Sequence, residues 1–299
     1  MPRRTETFVA VRHSSARGVL TSIVASFLFG GMFLLAGLVS SSAEVVFAWR
    51  VLIAFGCYGA ALLHPAARRE LRTLWRRLRS RWWMPLLSLL LTGIVGVQLW
   101  LFMWAPMHGH ALDTSLGYLL LPICLVLCGR FLMRHPVSPL QWVVVALAAI
   151  AVTVKLVATP ELSWVTLVIC IPYAVYFVLR QRFGLDGPIV FGWEITLMLP
   201  VAVVFVVSGG APESGLEVAG LLAIGFASAI AMTLYLAASS MLTMPVFGLL
   251  GYVEPVLLVV VAMLLGERMQ GADALVYGIL AAALAVLAVD GFRAARRAR

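Results

Sequence analysis

The segment GYVEPVLLVVVAMLLGER, residues 251–268, decides how the whole chain is interpreted, because it is an almost unbroken apolar run that contains one carboxylate, Glu254. A helix needs about 20 predominantly apolar residues to cross a bilayer core roughly 30 Å thick. A charged side chain inside such a helix is costly in hydrocarbon and is a functional candidate by default. The segment therefore predicts a membrane helix that carries a charge near its middle.

Apolar stretches of similar length recur along the whole chain. Of its 299 residues, 63% are hydrophobic, and the mean hydropathy is +1.03, which is more apolar surface than a soluble domain can bury. Barrel strands would alternate polar and apolar residues, and these stretches do not, so only helices remain. We therefore predict an all-α, polytopic integral membrane protein with ten transmembrane helices. They are expected at residues 18–39, 44–63, 84–104, 113–132, 139–157, 162–180, 188–208, 217–240, 245–265 and 272–290.

The basic residues are distributed unevenly between the predicted loops. The chain has a net charge of +9, and with ten spans and both termini on the inner side, 19 of its 22 basic residues fall on inner segments. Lys155 and Arg268 are the outer exceptions, and Arg50 lies within a span. This bias follows the positive-inside rule, so we predict cytoplasmic tails at residues 1–17 and 291–299, the second of them basic. The location of the charge argues against a nucleic-acid partner.

One inner segment, residues 65–83, is predicted to lie on the membrane rather than in it. Its apolar side chains recur at helical spacing, and arginines fill most other positions. A helix of this kind binds the interface, where its arginines meet anionic lipid. The apolar positions are Leu71, Leu74, Trp75, Leu78 and Trp82.

A weak internal repeat relates the two halves of the chain. Placing Pro122 over Pro255, an offset of 133 residues, aligns SLGYLLLPICLVLCGRFLMRH with GLLGYVEPVLLVVVAMLLGER. Each half contains five predicted spans, and because that number is odd, the two copies must be inverted with respect to each other. We therefore predict two inverted five-helix repeats, at residues 18–157 and 162–290. Secondary transporters are commonly built in this way, with the binding site near the midplane between the repeats.

Four motifs, in their order and spacing, make the chain resemble a known family. They are FAWRVLIAF around Arg50, FMWAPMHGHALDTSLGY from Phe102 to Tyr118, FGWEITLMLPV around Glu194, and GERMQGAD after the ninth span. Together they resemble the drug/metabolite transporter superfamily, and within it the RarD-like branch of EamA-domain proteins. The resemblance covers nearly the whole chain. It implies a ten-helix transporter of the bacterial inner membrane that exports small metabolites or drugs.

The chain departs from the family pattern at the centre of each repeat. Relatives usually have an Asn-Pro pair where this chain has Leu121 before Pro122, and a glycine where it has Glu254. A polar group is thus absent from one copy of the central motif, and a charge is added to the other. Both changes fall where substrate is expected, so a relative's substrate cannot simply be transferred.

Three charged residues within predicted spans are candidates for substrate binding or coupling: Arg50, Glu194 and Glu254. From the rise per residue, the depths of Arg50 and Glu254 differ by about 7 Å and those of Arg50 and Glu194 by about 12 Å. Glu254 is therefore the expected partner of Arg50. Three interpretations stay open: a structural ion pair, a pair that lines the transport path, and an unpaired, protonated Glu254, which burial favours. In the last case Glu254 or Glu194 would exchange protons against substrate.

Both predicted midplane elements carry a proline. Ser115, Tyr118 and Pro122 share a face of the fourth span, and Gly251 and Pro255 share a face of the ninth. Proline removes a backbone hydrogen bond inside a helix, and paired breaks in two halves are typical of a transporter site. Ser115 and Tyr118 are therefore substrate candidates. Pro122, Gly251 and Pro255 are hinge candidates, although close packing of small residues would also explain the glycine.

Other polar residues are weaker candidates. On the third span, Gln98 offers an amide to a ligand, whereas Trp104 fits an interfacial aromatic belt. His108 and His110 lie in the following outer loop; of these, His110, together with Asp113, falls on positions that are polar in RarD-like relatives, which makes the two outer-gate candidates.

The sequence contains no nucleotide-binding loop, nucleophile elbow or cluster of metal ligands. We therefore expect no cofactor, no metal and no enzymatic activity. The four cysteines lie in predicted spans and predict no disulfide framework. The expected function is secondary transport of a small molecule. A membrane-embedded enzyme and a non-transporting scaffold or lipid-interacting protein are the alternatives.

Overall fold

The computed structural model describes residues 16–133, 139–158, 163–185, 188–209, 212, 214–241, 250–251, 253–269 and 271–297. That part of the chain forms eleven α-helices and no β-strand. The helices are α1 (Ala16–Leu38), α2 (Ala43–Ala61), α3 (Pro65–Leu78), α4 (Met84–Met107), α5 (Ala111–Met133), α6 (Pro139–Ala158), α7 (Trp164–Phe183), α8 (Pro188–Ser208), α9 (Gly215–Met241), α10 (Val253–Leu264) and α11 (Gly271–Arg297). The predicted tail 1–17 lies almost wholly outside the described residues, and so do residues 298–299 of the other tail.

Nine of the ten predicted spans each coincide with one of these helices, and α3 is the additional helix predicted on the inner surface. The ninth span, 245–265, matches α10 only from Val253 onward, and its residues 245–249 and 252 lie outside the described residues. Seven helices of the described chain are long and apolar enough to cross a membrane, namely α1, α2, α4, α5, α7, α8 and α9. The apolar stretches of α6, α10 and α11 are shorter. The chain is therefore an all-helical, multi-pass membrane protein, and the crossing by ten helices stays a prediction.

The ninth span differs from its prediction. Residues 245–265 were expected to form one helix, but the backbone turns at Gly251 and α10 begins at Val253. Glu254 and Pro255 consequently lie in the first turn of α10. The N–H groups of a first turn have no intrahelical acceptor, so proline is tolerated there without the loss of a hydrogen bond. The break in the described backbone of this span therefore lies at Gly251, just before Pro255, and the role of Pro255 as a hinge stays a prediction.

The amphipathic segment forms α3 largely as its pattern predicts. His64 caps the helix by accepting a hydrogen bond from the Ala66 amide through Nδ1 at 3.3 Å. Leu74 and Leu78 are buried, and Trp75 packs against Trp193 of α8 with ring centroids 5.0 Å apart. One face of α3 thus contacts the bundle, while its arginines remain exposed.

Helices from the two predicted halves are interleaved. The main packing pairs are α5 with α7, α1 with α9, α6 with α11, and α2 with α8. Small residues permit the closest approaches. At Gly117 of α5, a Cβ atom would lie 2.8 Å from the Cβ atom of Ile169 of α7. This interleaving brings polar residues distant in sequence into one interior.

Candidate functional site

A row of aromatic rings runs through the centre of the bundle. Neighbouring rings lie 5.6–6.4 Å apart between centroids, within the usual range for aromatic pairs. The row joins side chains from five helices, α9, α1, α4, α5 and α7. In order, its members are Tyr235, Phe29, Phe102, Tyr118, Tyr173 and Tyr176.

Glu254 lies beside this row. Its carboxylate interacts electrostatically with the hydroxyl groups of Tyr118, Tyr173 and Tyr235. The side chain is half-buried, and it makes no hydrogen bond or ion pair with any residue that the structure describes. The start of α10 places the positive end of a helix dipole at this carboxylate. The result is a carboxylate that faces an aromatic interior without a protein partner in the described chain.

Arg50 is also buried at this row, with its guanidinium carbon 6.0 Å from the centroid of the Phe102 ring. Its Nε donates to Ser228 Oγ at 3.1 Å, and one of its terminal nitrogens donates to the Leu99 carbonyl at 2.9 Å. The predicted pairing of Arg50 with Glu254 is therefore wrong for this conformation. The depth argument placed both residues along the bilayer normal, but it had no information about the direction in which Arg50 points around α2.

Glu194 belongs to a second polar cluster. Its Oε2 accepts a hydrogen bond from the Tyr176 hydroxyl at 2.9 Å and lies 3.6 Å from a terminal nitrogen of Arg180. Arg180 also donates to the Tyr176 hydroxyl. Both members of the ion pair are buried, with side chains 1% and 8% exposed for Glu194 and Arg180. The cationic partner of Glu194 is thus Arg180, which the sequence interpretation had counted among the basic residues of the inner side.

Two predicted substrate contacts are used for packing in this conformation. Gln98 donates to the Val168 carbonyl at 2.6 Å, which joins α4 to α7, and its Oε1 is buried without a partner among the described residues. Ser115 is fully buried and donates to the Pro255 carbonyl at 3.0 Å, which joins α5 to α10. Of these two, Gln98 retains a free acceptor for a ligand.

The predicted hinge residues differ in their surroundings. Pro122 lies within α5, whose helix continues through it, and its side chain is outside the described residues. Gly251 lies in the turn before α10, and Pro255 is buried in the first turn. Among these three residues, Gly251 is the one at which the described backbone leaves the helix.

The outer-gate candidates form a compact group at the predicted outer end of the bundle. His110 Nδ1 lies 2.7 Å from Asp113 Oδ2, and Trp104 stacks on the ring of His110 with centroids 5.3 Å apart. Thr166 donates to the Asp113 carbonyl at 2.9 Å. The group therefore joins the end of α4, the start of α5 and the start of α7.

Glu267 completes this end, and the sequence analysis gave it no role. Its two carboxylate oxygens accept from the backbone amides of Ala111 and Leu112 at 2.6 and 2.8 Å. Tyr277 of α11 donates to the Leu112 carbonyl at 2.8 Å. The first N–H groups of a helix lack partners within it, so Glu267 caps α5 and ties it to the segment after α10.

A cavity of about 280 Å³ opens beside this cap. Its polar lining includes Asp113, Glu267 and the ion pair of Lys155 with Asp273, whose atoms are 2.6 Å apart. The cavity is not in contact with Glu254. It lies at the predicted outer end of the bundle, next to the capped start of α5.

Several residues of these clusters follow simple spacings that could have identified them. Tyr173, Tyr176 and Arg180 recur at intervals of three and four residues, so they share one face of α7. Ser228 and Tyr235, seven residues apart, share a face of α9. Glu267 lies in the GERMQGAD motif, but its neighbouring residues in the sequence do not indicate that its carboxylate binds the start of α5, 155 residues away.

In the described part of the chain, no group of three or more histidine, cysteine or acidic side chains is arranged to hold a metal ion. The four cysteines are free thiols. The polar chemistry of the interior thus consists of two carboxylates, two arginines, amide and hydroxyl groups, and aromatic faces.

Comparison with known proteins identifies relatives along almost the entire chain. The chloramphenicol-sensitive protein RarD of Pseudomonas aeruginosa is 35% identical over 298 residues, with 95% of this chain and 97% of that protein covered. An uncharacterized transporter of Haemophilus influenzae is 32% identical over 280 residues, with 92% and 94% covered. The protein RarD of Salmonella typhi is 27% identical over 292 residues.

A solved crystal structure of a protein with no functional description shares the fold, with a TM-score of 0.58 at 19% identity over 94% of this chain and 99% of the other. No protein-family model matches the chain. The relatives named RarD and the uncharacterized transporters match nearly their full length, and the helices of this chain have the length and apolarity of membrane spans. The chain therefore belongs to the family of RarD-like transporters.

Proposed function

We propose that this protein is a secondary transporter, not driven by ATP, that exports a small metabolite or drug-like molecule across the bacterial inner membrane by alternating access. The observation that carries the proposal is Glu254, a carboxylate that faces the aromatic interior without a hydrogen-bond partner in the described chain. Leaving a charge in a membrane interior without a partner is expensive. A cargo that supplies a hydrogen-bond donor or a cation to Glu254 would explain why the chain has a carboxylate at this position.

The aromatic row defines the chemistry of that cargo in outline. Tyr118, Tyr173 and Phe102 offer apolar faces, and Glu254 offers an acceptor for a donor or cation. The name of the Pseudomonas relative connects that protein with chloramphenicol sensitivity. Aromatic, drug-like molecules with hydrogen-bond donors are therefore the first compounds to test.

The helix contacts support two inverted repeats in an EamA-like, ten-span arrangement of the drug/metabolite transporter type. Without α3, a shift of five spans converts α1, α2, α4, α5 and α6 into α7, α8, α9, α10 and α11. Under this shift the pairs α2–α8, α5–α10 and α6–α11 map onto themselves, and the packing of α1 on α9 maps onto that of α7 on α4. The repeats at residues 18–157 and 162–290 would then rock about the Glu254 region.

The orientation follows from the charges. Both termini are placed in the cytoplasm, with α3 on the inner leaflet, where its exposed arginines meet anionic lipid. His110, Asp113 and Glu267 are then on the outer side. Their contacts tie α5, α7 and α11 together at that end, which supports a closed outer gate in this conformation.

A non-transporting membrane scaffold is the second candidate, and Arg50 favours it. Its guanidinium is held by Ser228 and a backbone carbonyl, as expected of a residue that fixes helix packing. The two candidates differ in what the loss of each charge does to transport.

The test compares metabolites in the medium and in extracts of cells that produce the wild type, Glu254→Gln or Arg50→Gln at matched membrane levels. Glu70→Gln, which alters an exposed carboxylate of α3, is the control for the amide substitution. We expect one compound class to accumulate outside cells with the wild type and the control only. Equal accumulation with Glu254→Gln would remove Glu254 from the mechanism, and no accumulation with any chain would favour the scaffold.

A further inference from the structure

Glu194 is almost completely buried, and one of its two carboxylate oxygens has no hydrogen-bond partner among the described residues. Its side chain is 1% exposed, and Oε2 is occupied by Tyr176 at 2.9 Å and by Arg180 at 3.6 Å. The other oxygen, Oε1, is buried and has no hydrogen-bond partner among the described residues. A buried acceptor left without a donor costs about 1–3 kcal/mol. The carboxylate is therefore bonded on one oxygen and unsatisfied on the other.

Tyr58 of α2 provides a second unsatisfied group in the same region. Its hydroxyl is buried without a partner among the described residues, and it interacts electrostatically with both Glu194 and Arg180. The ring of Tyr58 packs on α8, since a Cβ atom at Gly192 would lie 3.0 Å from its Cδ1. An unpaired hydroxyl and an unpaired carboxylate oxygen thus occur on two helices packed against each other.

The remaining neighbours add few charges around Glu194. From α7 come Tyr173, Tyr176 and Arg180, of which Arg180 is cationic. From α4, Ser88 accepts from Trp193 at 3.1 Å, and from α3, Trp75 packs on the same tryptophan. Among these neighbours Arg180 is the one charged group, and it lies on the Oε2 side. The charge of Glu194 is therefore balanced by a single cation at a longer distance than an optimal hydrogen bond.

We propose that Glu194 is the proton-exchange site of this transporter and that the proton binds at Oε1. Protonation at Oε1 removes the charge of a buried acceptor that has no hydrogen-bond donor among the described residues, while Oε2 keeps the hydrogen bond from Tyr176. In the outward-open conformation Glu194 takes the proton from water on the outer side, and in the inward-open conformation it releases the proton on the inner side, so that one proton crosses inward as cargo is exported. This inference rests on the proposed transport function, and it assigns coupling to a carboxylate other than Glu254.

Arg180 connects this site to the segment between α7 and α8. Its Nε donates to the Leu185 carbonyl at 2.7 Å, in the segment that joins α7 to α8. A neutral Glu194 no longer attracts the guanidinium. Protonation therefore changes the strength of the hydrogen bond between Arg180 and the Leu185 carbonyl. Tyr176 also belongs to the aromatic row that leads to Glu254. Tyr176 of α7 therefore contacts both the proposed proton site at Glu194 and the aromatic row beside the proposed cargo site.

The test is infrared difference spectroscopy of the purified full-length protein in lipid nanodiscs, titrated from about pH 5 to about pH 9. The readout is the C=O stretching band of a protonated carboxylic acid, and no substrate is needed. We expect the wild type to show a titrating band that is lost in Glu194→Gln and kept in Glu254→Gln. In Tyr176→Phe, which retains both charges, the same band should move to higher frequency because its C=O loses a hydrogen-bond donor.

Spectra of wild type and Glu194→Gln that coincide over the whole range would overturn the proposal. It would also fall if the band lost in Glu194→Gln did not move in Tyr176→Phe. Because the titration is independent of cargo, a failure of the export experiment leaves this result interpretable. If export is found, its dependence on the pH gradient should disappear in Glu194→Gln, and dependence that persists contradicts the assignment.

Discussion

The Glu267 cap gives a sharp prediction about how the outer end opens. In Glu267→Gln the charge is lost, and the amide keeps only one acceptor for the two backbone N–H groups of Ala111 and Leu112, now 2.6 and 2.8 Å away. A hydrogen bond to a charged group contributes about 1.5–3 kcal/mol, and the helix dipole adds about 0.3–1 kcal/mol. Since Glu267 is half-buried, we take about 2 kcal/mol as the loss.

If this contact is made only when the outer end is closed, the loss shifts the equilibrium toward the open state by up to about thirtyfold. The assay measures labelling of Tyr118→Cys by a membrane-impermeant maleimide in whole cells, in a background whose four natural cysteines are replaced by serine. Labelling should be faster in Glu267→Gln by up to that factor. Arg268→Gln, which removes the neighbouring exposed charge, should leave the rate unchanged.

The reasoning would be refuted by an unchanged labelling rate in a Glu267→Gln protein whose melting temperature falls. Such a result would mean that the cap stabilises α5 equally in all states. An increase in labelling with Arg268→Gln as well would show that surface charge, not the cap, controls access of the reagent.

Two further predictions concern packing and charge inside the bundle. Gly117→Ala should destabilise the protein by about 1–3 kcal/mol, since the new Cβ would lie 2.8 Å from that of Ile169; thermal unfolding in detergent measures this against Gly278→Ala, where nothing lies within 4 Å. Arg180→Gln should cost about 3–5 kcal/mol because it leaves Glu194 buried without its cation. The double variant with Glu194→Gln should cost less than the sum of the single variants, and additivity would contradict the pairing.

Most of the helices could be predicted from the sequence because length and apolar composition are local properties. The α8 bounds, residues 188–208, agree at both ends with the prediction. The start of α10 could not be predicted, because the residues before Gly251 are as apolar as those after it. A proline in a first turn and a proline in a helix interior have the same sequence neighbourhood, but only the second breaks a hydrogen bond.

The site was predicted less well because it depends on rotation about helix axes. The depth of a residue in the bilayer can be calculated from its position in a predicted span. By depth alone, Glu254 is a nearer partner for Arg50 than Glu194 is. The partners of Arg50 are a serine 178 residues away and a backbone carbonyl, and neither has a sequence signature. Arg180 was assigned to the inner surface by its position near a helix end, yet its guanidinium is buried beside Tyr176.

The surroundings of Glu254 and Glu194 favour different functions for the two interior carboxylates, cargo binding for the first and proton binding for the second. A residue that binds cargo must be reached by it, and Glu254 is half-buried at a helix start beside the tyrosines of the aromatic row. Glu194 is only 1% exposed and contacts Tyr176 and Arg180, so in this conformation it is buried away from any cargo. Since Tyr176 contacts both Glu194 and the aromatic row, a change of charge at one carboxylate has a direct route to the other. Under the proposed mechanism each carboxylate has its own function, cargo binding for Glu254 and proton binding for Glu194, which would account for a charge that is costly in a membrane interior.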